Sequence, residues 1–153
     1  MPLSSDLCIS HDLAGERTMY KNILVPVVFD EGYDTQASYL AAMALANDGA
    51  DFTVIHVREG IPGFVTTQIP NEVLAENQRE VEKSLNESAK ALPGATTKLI
   101  FGHAGRTIVE YATANNIDCI VVASHRRGIE NFFLGSTASR VVRHAKCSVH
   151  VIR

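Results

Sequence analysis

Short apolar runs alternate with longer amphipathic segments along the chain from residue 19 onward. The runs are rich in β-branched residues, which is typical of strands, and the segments between them repeat apolar residues at helical spacing. The predicted strands are 23–29, 52–57, 97–102, 118–123 and 148–153. The predicted helices are 35–47, 71–92, 106–115 and 136–144. The order of these elements predicts five strands joined by single helices.

Helices between consecutive strands predict parallel pairing through right-handed crossovers, which is the α/β class. The first predicted strand, 23–29, is apolar on both faces, so we expect it at the centre of the sheet. These features predict a single-domain, flavodoxin-like or Rossmann-like open parallel five-stranded sheet of order 3-2-1-4-5, with helices on both faces. Residues 1–18 show no period and are expected to be a flexible N-terminal extension to a folded domain at 19–153.

The spacing of apolar residues also predicts which side of each helix faces the sheet. In the first helix the expected inward residues are Ala37, Leu40, Ala41, Ala44 and Leu45. In the long second helix they are Val73, Leu74, Val81, Leu85, Ala89 and Leu92. Asp48 and Gly49 are expected to end the first helix.

Composition and charge narrow the classes of function. The 153 residues carry a formal net charge of −3, which argues against nucleic acid as a partner. No stretch approaches the roughly 18 apolar residues of a membrane helix, so no membrane association is expected. Cys8, Cys119 and Cys147 form no CxxC pair, and the histidines show no metal-ligand spacing. We therefore expect a cytoplasmic protein with free thiols and no metal site.

A candidate ligand site lies where the fourth strand ends and the last helix begins. The residues concerned are Ser124, His125, Arg126, Arg127, Gly135, Ser136 and Thr137. Parallel topology brings both segments to the carboxyl edge of the sheet, where a helix N-terminus and two guanidinium groups suit a phosphate. The plainer alternative is that Ser136 or Thr137 only caps the helix and the arginines form a solvated turn. Two roles are open for His125, a ligand contact and a structural one.

Several motifs together resemble one known family. They are Ile23-Leu-Val-Pro, Val54-Ile-His-Val, Gly102 after the third strand, and Arg140-Val-Val-Arg-His-Ala-Lys-Cys-Ser-Val near the end. The segment 123–137 is similar to the nucleotide loop of the universal stress proteins, whose common form is Gly-x-x-Gly, nine residues, Gly-Ser/Thr. The resemblance covers 19–153 and implies an α/β fold and a homodimer. Members of the family are of two kinds, those that bind ATP and those that do not.

The resemblance also implies a nucleotide site at particular residues. Gly135 and Ser136 match the phosphate-binding end of the loop, and Thr137 follows them in the helix start. Val57 matches the position whose backbone reads adenine, and Pro26 matches a first-strand proline near the nucleoside. The implied nucleotide-binding residues are Pro26, Val57, Ala123, Ser124, His125, Arg126, Arg127, Gly135, Ser136 and Thr137.

The chain departs from the family pattern at three positions. The two loop glycines fall on Ala123 and Arg126, and the spacer is one residue shorter, which resembles a short-loop Ser-His-Arg branch of the family. Where the family commonly has an aspartate facing the nucleoside, this chain has Val28, with Asp30 two residues further along the same strand face. These departures favour a member that has lost its nucleotide, whereas Gly135, Ser136 and the arginines favour one that binds it.

Two functions follow from the resemblance. The first is binding of ATP or AMP, with Mg²⁺ accompanying the nucleotide, in a stress response that works through binding and dimer contacts. The second is a dimeric interaction module without nucleotide. Since neither a P-loop nor a nucleophile-elbow motif is present, no catalytic residues are expected, and ATP hydrolysis would be slow at most. The homodimer is expected to form through the edge strand 148–153.

Overall fold

The computed structural model describes residues 19–29, 34–60, 63, 67–124 and 134–153. Its strands are β1 (Tyr20–Pro26), β2 (Ala46–Arg58), β3 (Thr96–Phe101), β4 (Cys119–Ala123) and β5 (Ser148–Ile152). Its helices are α1 (Thr35–Leu45), α2 (Asn71–Ala89), α3 (Ala104–Ala114) and α4 (Ser136–His144). The predicted extension at residues 1–18 lies outside the described residues.

The five strands form one parallel sheet in the order β3-β2-β1-β4-β5, which confirms the predicted topology. β1 lies at the centre, and its residues Ile23, Leu24 and Val25 are fully buried. From Ile23 to Pro26 the strand is apolar on both faces because helices cover the sheet on both sides, whereas Lys21 and Asn22 lie at its less buried beginning.

The boundary between α1 and β2 differs from the prediction. α1 ends at Leu45, and β2 begins at once, with Ala46 paired to Tyr20. The ladder then resumes at Asn22 opposite Asp51, so the intervening residues of β2 bulge out around Gly49, whose φ is 74°. Asp48 and Gly49 therefore form an irregularity within the strand and do not end the helix.

Two hydrophobic clusters fill the two sides of the sheet. One contains Ile23, Val25, Val27, Tyr39, Val54, Leu85, Leu92 and Val121 and lies under α1 and α2. The other contains Leu24, Ile55, Ile108, Ala112, Ile120, Val122, Ala138 and Val141 and lies under α3 and α4. β1 and β4 thus lie between two packed layers.

The inward face of α1 matches the prediction only in part, since Ala41 and Leu45 pack against the core as predicted. Its buried residues are Ser38, Tyr39 and Ala42, whereas Leu40 is 58% exposed. The Tyr39 hydroxyl lies 2.8 Å from the Ser88 hydroxyl of α2, and this contact requires Tyr39 to face inward. In α2 only the C-terminal half packs as predicted: Leu85 and Ala89 are buried, but Val73 is 55% exposed.

Cys119 and Cys147 are free thiols. Burial raises the pKa of Cys119 to about 12, so the thiol stays protonated at neutral pH. We expect iodoacetamide at pH 8 to leave Cys119 unmodified in the folded protein and to alkylate it after unfolding in guanidinium chloride. Peptide mass mapping of the two samples measures this, and equal labelling in both would contradict the burial of Cys119.

None of the described helices is long and apolar enough to cross a membrane.

Candidate functional site

A cavity of about 190 Å³ opens at the carboxyl edge of the sheet. It lies between the ends of β1 and β4, the point at which the strand order reverses and where ligands bind in open α/β sheets. Its described lining is Pro26, Val27, Val28, Asp34, Thr35, Ser38, Ile55, Val57, Ala104, Ile108, Val122, Ala123, Ser124, Gly135, Ser136, Thr137 and Ala138. The walls are thus mostly apolar, with polar groups at the starts of α1 and α4.

Seven of the ten residues singled out from the sequence line this one cavity. They are Pro26, Val57, Ala123, Ser124, Gly135, Ser136 and Thr137. The other three, His125, Arg126 and Arg127, lie outside the described residues. Segments as distant in sequence as the ends of β1 and β4 meet here because β1 and β4 are neighbours in the sheet.

The start of α4 presents backbone N–H groups to the cavity. Gly135 is the N-cap, and no side chain caps the helix. Within the described part of the chain, the backbone N–H groups of Ser136 and Thr137 have no acceptor, since the first helical bond at this end joins the Ser139 N–H to the Gly135 carbonyl at 2.8 Å. Neither Ser136 nor Thr137 therefore caps the helix with its side chain. The N–H groups and the helix dipole are available to an anion.

Close packing against β4 requires a glycine at position 135. The Gly135 N–H donates to the Ser124 carbonyl at 3.2 Å. A Cβ at position 135 would lie 2.9 Å from the same Ser124 oxygen, closer than side-chain carbons normally approach. The start of α4 can therefore lie against the end of β4 only without a side chain at this position.

Ser124 carries an unsatisfied hydroxyl in the wall of the cavity. The residue is 4% exposed, and its Oγ has no hydrogen-bond partner among the residues that the structure describes. Its backbone is held firmly, because its N–H donates to the Ile152 carbonyl at 2.8 Å. Leaving a buried hydroxyl unpaired costs about 1–3 kcal/mol. The Oγ itself is inaccessible to solvent, so it would bond a polar ligand atom only after its side chain turns toward the cavity.

Val28 lies in the cavity wall and is not part of the core. It is 39% exposed, and the residues on either side of it are anchored. The Val27 N–H donates to the Ile55 carbonyl at 2.9 Å, and His56 Nδ1 donates to the Val27 carbonyl at 2.9 Å. Phe29 packs on the His56 ring at a centroid distance of 4.9 Å. His56 thus orients the end of β1, which is a structural role. Asp30 lies outside the described residues.

The beginning of α1 contributes three lining residues that sequence reasoning missed, Asp34, Thr35 and Ser38. Asp34 is the N-cap of α1, and its Oδ1 accepts the Ala37 N–H at 3.0 Å. An aspartate just before a helical repeat is a recognisable cap signal, but the signal does not indicate which cavity the cap faces. Asp34 is the only carboxylate in the described lining, and no group of three metal-ligating side chains occurs in the described ranges.

Comparison with known proteins gives a family match over most of the chain. The model of the Universal stress protein family matches residues 19–153. The chain is 32% identical over 139 residues to Universal stress protein A homolog 2 of Coxiella burnetii, covering 88% of this chain and 95% of the relative. It is 29% identical to the solved structure of universal stress protein UspA from Lactobacillus plantarum, covering 88% and 99% of the two chains, with a TM-score of 0.64.

Some solved structures with the same fold contain nucleotides. The universal stress protein from Archaeoglobus fulgidus in complex with dAMP is 20% identical, covers 88% and 99% of the two chains and has a TM-score of 0.56. A protein of Arabidopsis thaliana with AMP bound and a universal stress protein in complex with cAMP are each 17% identical, with TM-scores of 0.55 and 0.61. At these identities the likeness establishes the fold alone.

Proposed function

Since the chain belongs to the universal stress protein family, we propose that it binds an adenine nucleotide, AMP or ATP, in the cavity between β1 and β4. The observation that carries the proposal is the juxtaposition of two polar features on one cavity. These are the N–H groups of Ser136 and Thr137 and the buried hydroxyl of Ser124, which have no partner among the described residues. The nucleotides in solved structures of the same fold support the choice of ligand class.

The two ends of the cavity suit the two ends of a nucleotide. Pro26, Val57 and Ile108 provide an apolar surface for the adenine ring. The start of α4 provides N–H donors and a positive helix end for the phosphates. The nucleoside would lie near Val28, between these two ends.

Binding, with little or no turnover, is the proposed activity. The sequence has no P-loop motif to bring a lysine to a transferring phosphoryl group, and the one carboxylate in the described lining, Asp34, already caps α1. Mg²⁺ would therefore be held mainly by the nucleotide's own phosphates. We propose a cytoplasmic location, because Cys119 and Cys147 are free thiols of the kind that a reducing compartment maintains.

A dimeric interaction module without nucleotide is the second candidate. Val28 favours it, because a valine cannot hydrogen-bond the ribose hydroxyls. Mass spectrometry of protein purified under native conditions, followed by calorimetry with AMP and with GMP as control, separates the two candidates. We expect co-purified or added AMP to bind in preference to GMP. Absence of binding by AMP and ATP would leave the interaction module as the function.

Introducing a carboxylate by Val28→Asp is expected to tighten AMP binding. A hydrogen bond to a charged group contributes about 1.5 kcal/mol, which corresponds to roughly tenfold in affinity. The site accepts the substitution because Val28 is 39% exposed while its neighbours hold the strand in place. Calorimetry measures the affinity, and Val28→Asn is the matched neutral control, which should gain less. An unchanged affinity in a variant with wild-type circular dichroism would show that position 28 does not face the nucleoside.

We also propose a homodimer through the edge strand β5. β5 pairs only with β4 among the described strands, so its other side carries backbone groups that can pair with a second copy. Antiparallel pairing of the same strand from two copies gives a closed two-fold dimer.

A further inference from the structure

A second concave surface adjoins the nucleotide cavity. It is a groove of about 550 Å³ between α3 and α4. Its described lining is Glu59, His103, Ala104, Gly105, Arg106, Ser136, Thr137, Ser139, Arg140, Arg143 and His144. Ala104, Ser136 and Thr137 line both the groove and the cavity, so the two spaces meet at the start of α4.

The groove carries unpaired positive charge in a protein whose formal net charge is −3. Arg106 bonds Glu110 at 2.7 Å, so its charge is balanced, and His103 lies 3.8 Å from Glu59. Arg140 and Arg143, by contrast, make no ion pair within the described part of the chain and lie on the groove side of α4. Two unpaired guanidinium groups that line one groove are suited to phosphate oxygens.

Packing between α3 and α4 holds Arg140 in the groove. Gly105 of α3 is buried, and a Cβ built on it would lie 2.9 Å from Arg140 Cβ and 3.0 Å from Arg140 Cδ. The stem of Arg140 therefore lies directly over Gly105, which limits the positions open to its guanidinium group.

We propose that the α3–α4 groove is a second phosphate subsite, which binds the distal phosphates of an adenine nucleotide with a long phosphate chain, as in a dinucleoside polyphosphate. The proposal rests on the proposed function, because the first adenosine occupies the cavity and its phosphates reach the start of α4. The phosphate chain then continues past Ser136 and Thr137 to Arg140 and Arg143.

Calorimetry at about 50 mM salt with AMP and with diadenosine tetraphosphate tests the proposal. We expect wild-type protein to bind diadenosine tetraphosphate roughly tenfold tighter than AMP, because further charge-assisted hydrogen bonds form in the groove. The double variant Arg140→Gln/Arg143→Gln is expected to lose that difference and to bind AMP within about twofold of wild type. The matched control is Arg79→Gln/Lys90→Gln, which removes the same charge from the exposed surface of α2 and its C-cap, where Arg79 pairs with Glu76 and Lys90 with Glu87.

The outcomes separate this proposal from the proposed function. If AMP binds and diadenosine tetraphosphate binds no tighter, the groove proposal is wrong and the proposed function stands. If the groove variant and the α2 control lose diadenosine tetraphosphate affinity equally, the effect comes from overall charge and the groove proposal is wrong. The groove proposal is also wrong if the groove variant loses affinity for AMP and for diadenosine tetraphosphate equally. If neither ligand binds wild-type protein, both proposals fail.

Discussion

A Gly135→Val variant is expected to lose nucleotide binding altogether while keeping its fold. Any Cβ at position 135 lies 2.9 Å from the Ser124 carbonyl oxygen, so the start of α4 must move away from β4. That movement breaks the bond from the Gly135 N–H to Ser124 and displaces the N–H groups of Ser136 and Thr137 from the proposed phosphate position. Calorimetry with AMP measures the loss, and thermal unfolding followed by circular dichroism confirms that the variant is folded.

Two further variants make this result specific. Gly60→Val is the matched control, because a Cβ at Gly60 meets open space, and it should bind AMP normally. Ser124→Ala removes the unpaired hydroxyl without moving the backbone, so binding should weaken roughly tenfold while stability is unchanged or higher. If folded Gly135→Val protein binds AMP with wild-type affinity, the start of α4 does not contribute to the site.

Val149→Pro is expected to convert the proposed dimer into a monomer. In β5 the Ser148 N–H donates to Asp118, and the Ile152 carbonyl accepts from Ser124, so both residues direct their backbone toward β4. Backbone directions alternate along a strand, and the N–H groups of Val149 and Val151 therefore point outward. Proline at position 149 removes an outward donor, and light scattering at micromolar concentration measures the change in mass.

The alternation also shows why a proline at His150 would be a poor test. The backbone of His150 faces β4, opposite Val121, so proline there would damage the sheet of the monomer itself. Val149→Ala is the matched control, because it loses similar side-chain packing but keeps the N–H group, and it should remain a dimer. A Val149→Pro variant that is still dimeric would show that the subunits associate through another surface.

The periodic pattern of the sequence determined the order of elements and, through general rules of α/β folds, the sheet topology. The apolar run that begins at Ile23 was expected at the centre of the sheet and lies there in β1, because a strand segment covered by helices on both faces favours apolar residues on both faces. Helix α4 was predicted with the bounds that the structure has, since Gly135 and Ser136 mark its start in sequence. Local spacing also indicated which chain segments meet at the carboxyl edge of the sheet.

Contacts between distant residues were decided only by the tertiary structure. Tyr39 of α1 faces inward, where its hydroxyl contacts Ser88 of α2, and no period within α1 encodes that contact between two helices. The need for glycine at 135 comes from the Ser124 carbonyl, and the direction of each N–H in β5 comes from its register with β4. The sequence around Asp34 indicates only a helix cap, and the sequence around Arg140 indicates only a surface charge. Packing of their helices places Asp34 at the cavity and Arg140 in the groove. Which side chains are buried or paired depends on contacts between different helices and strands, and the sequence of a single helix does not determine those contacts.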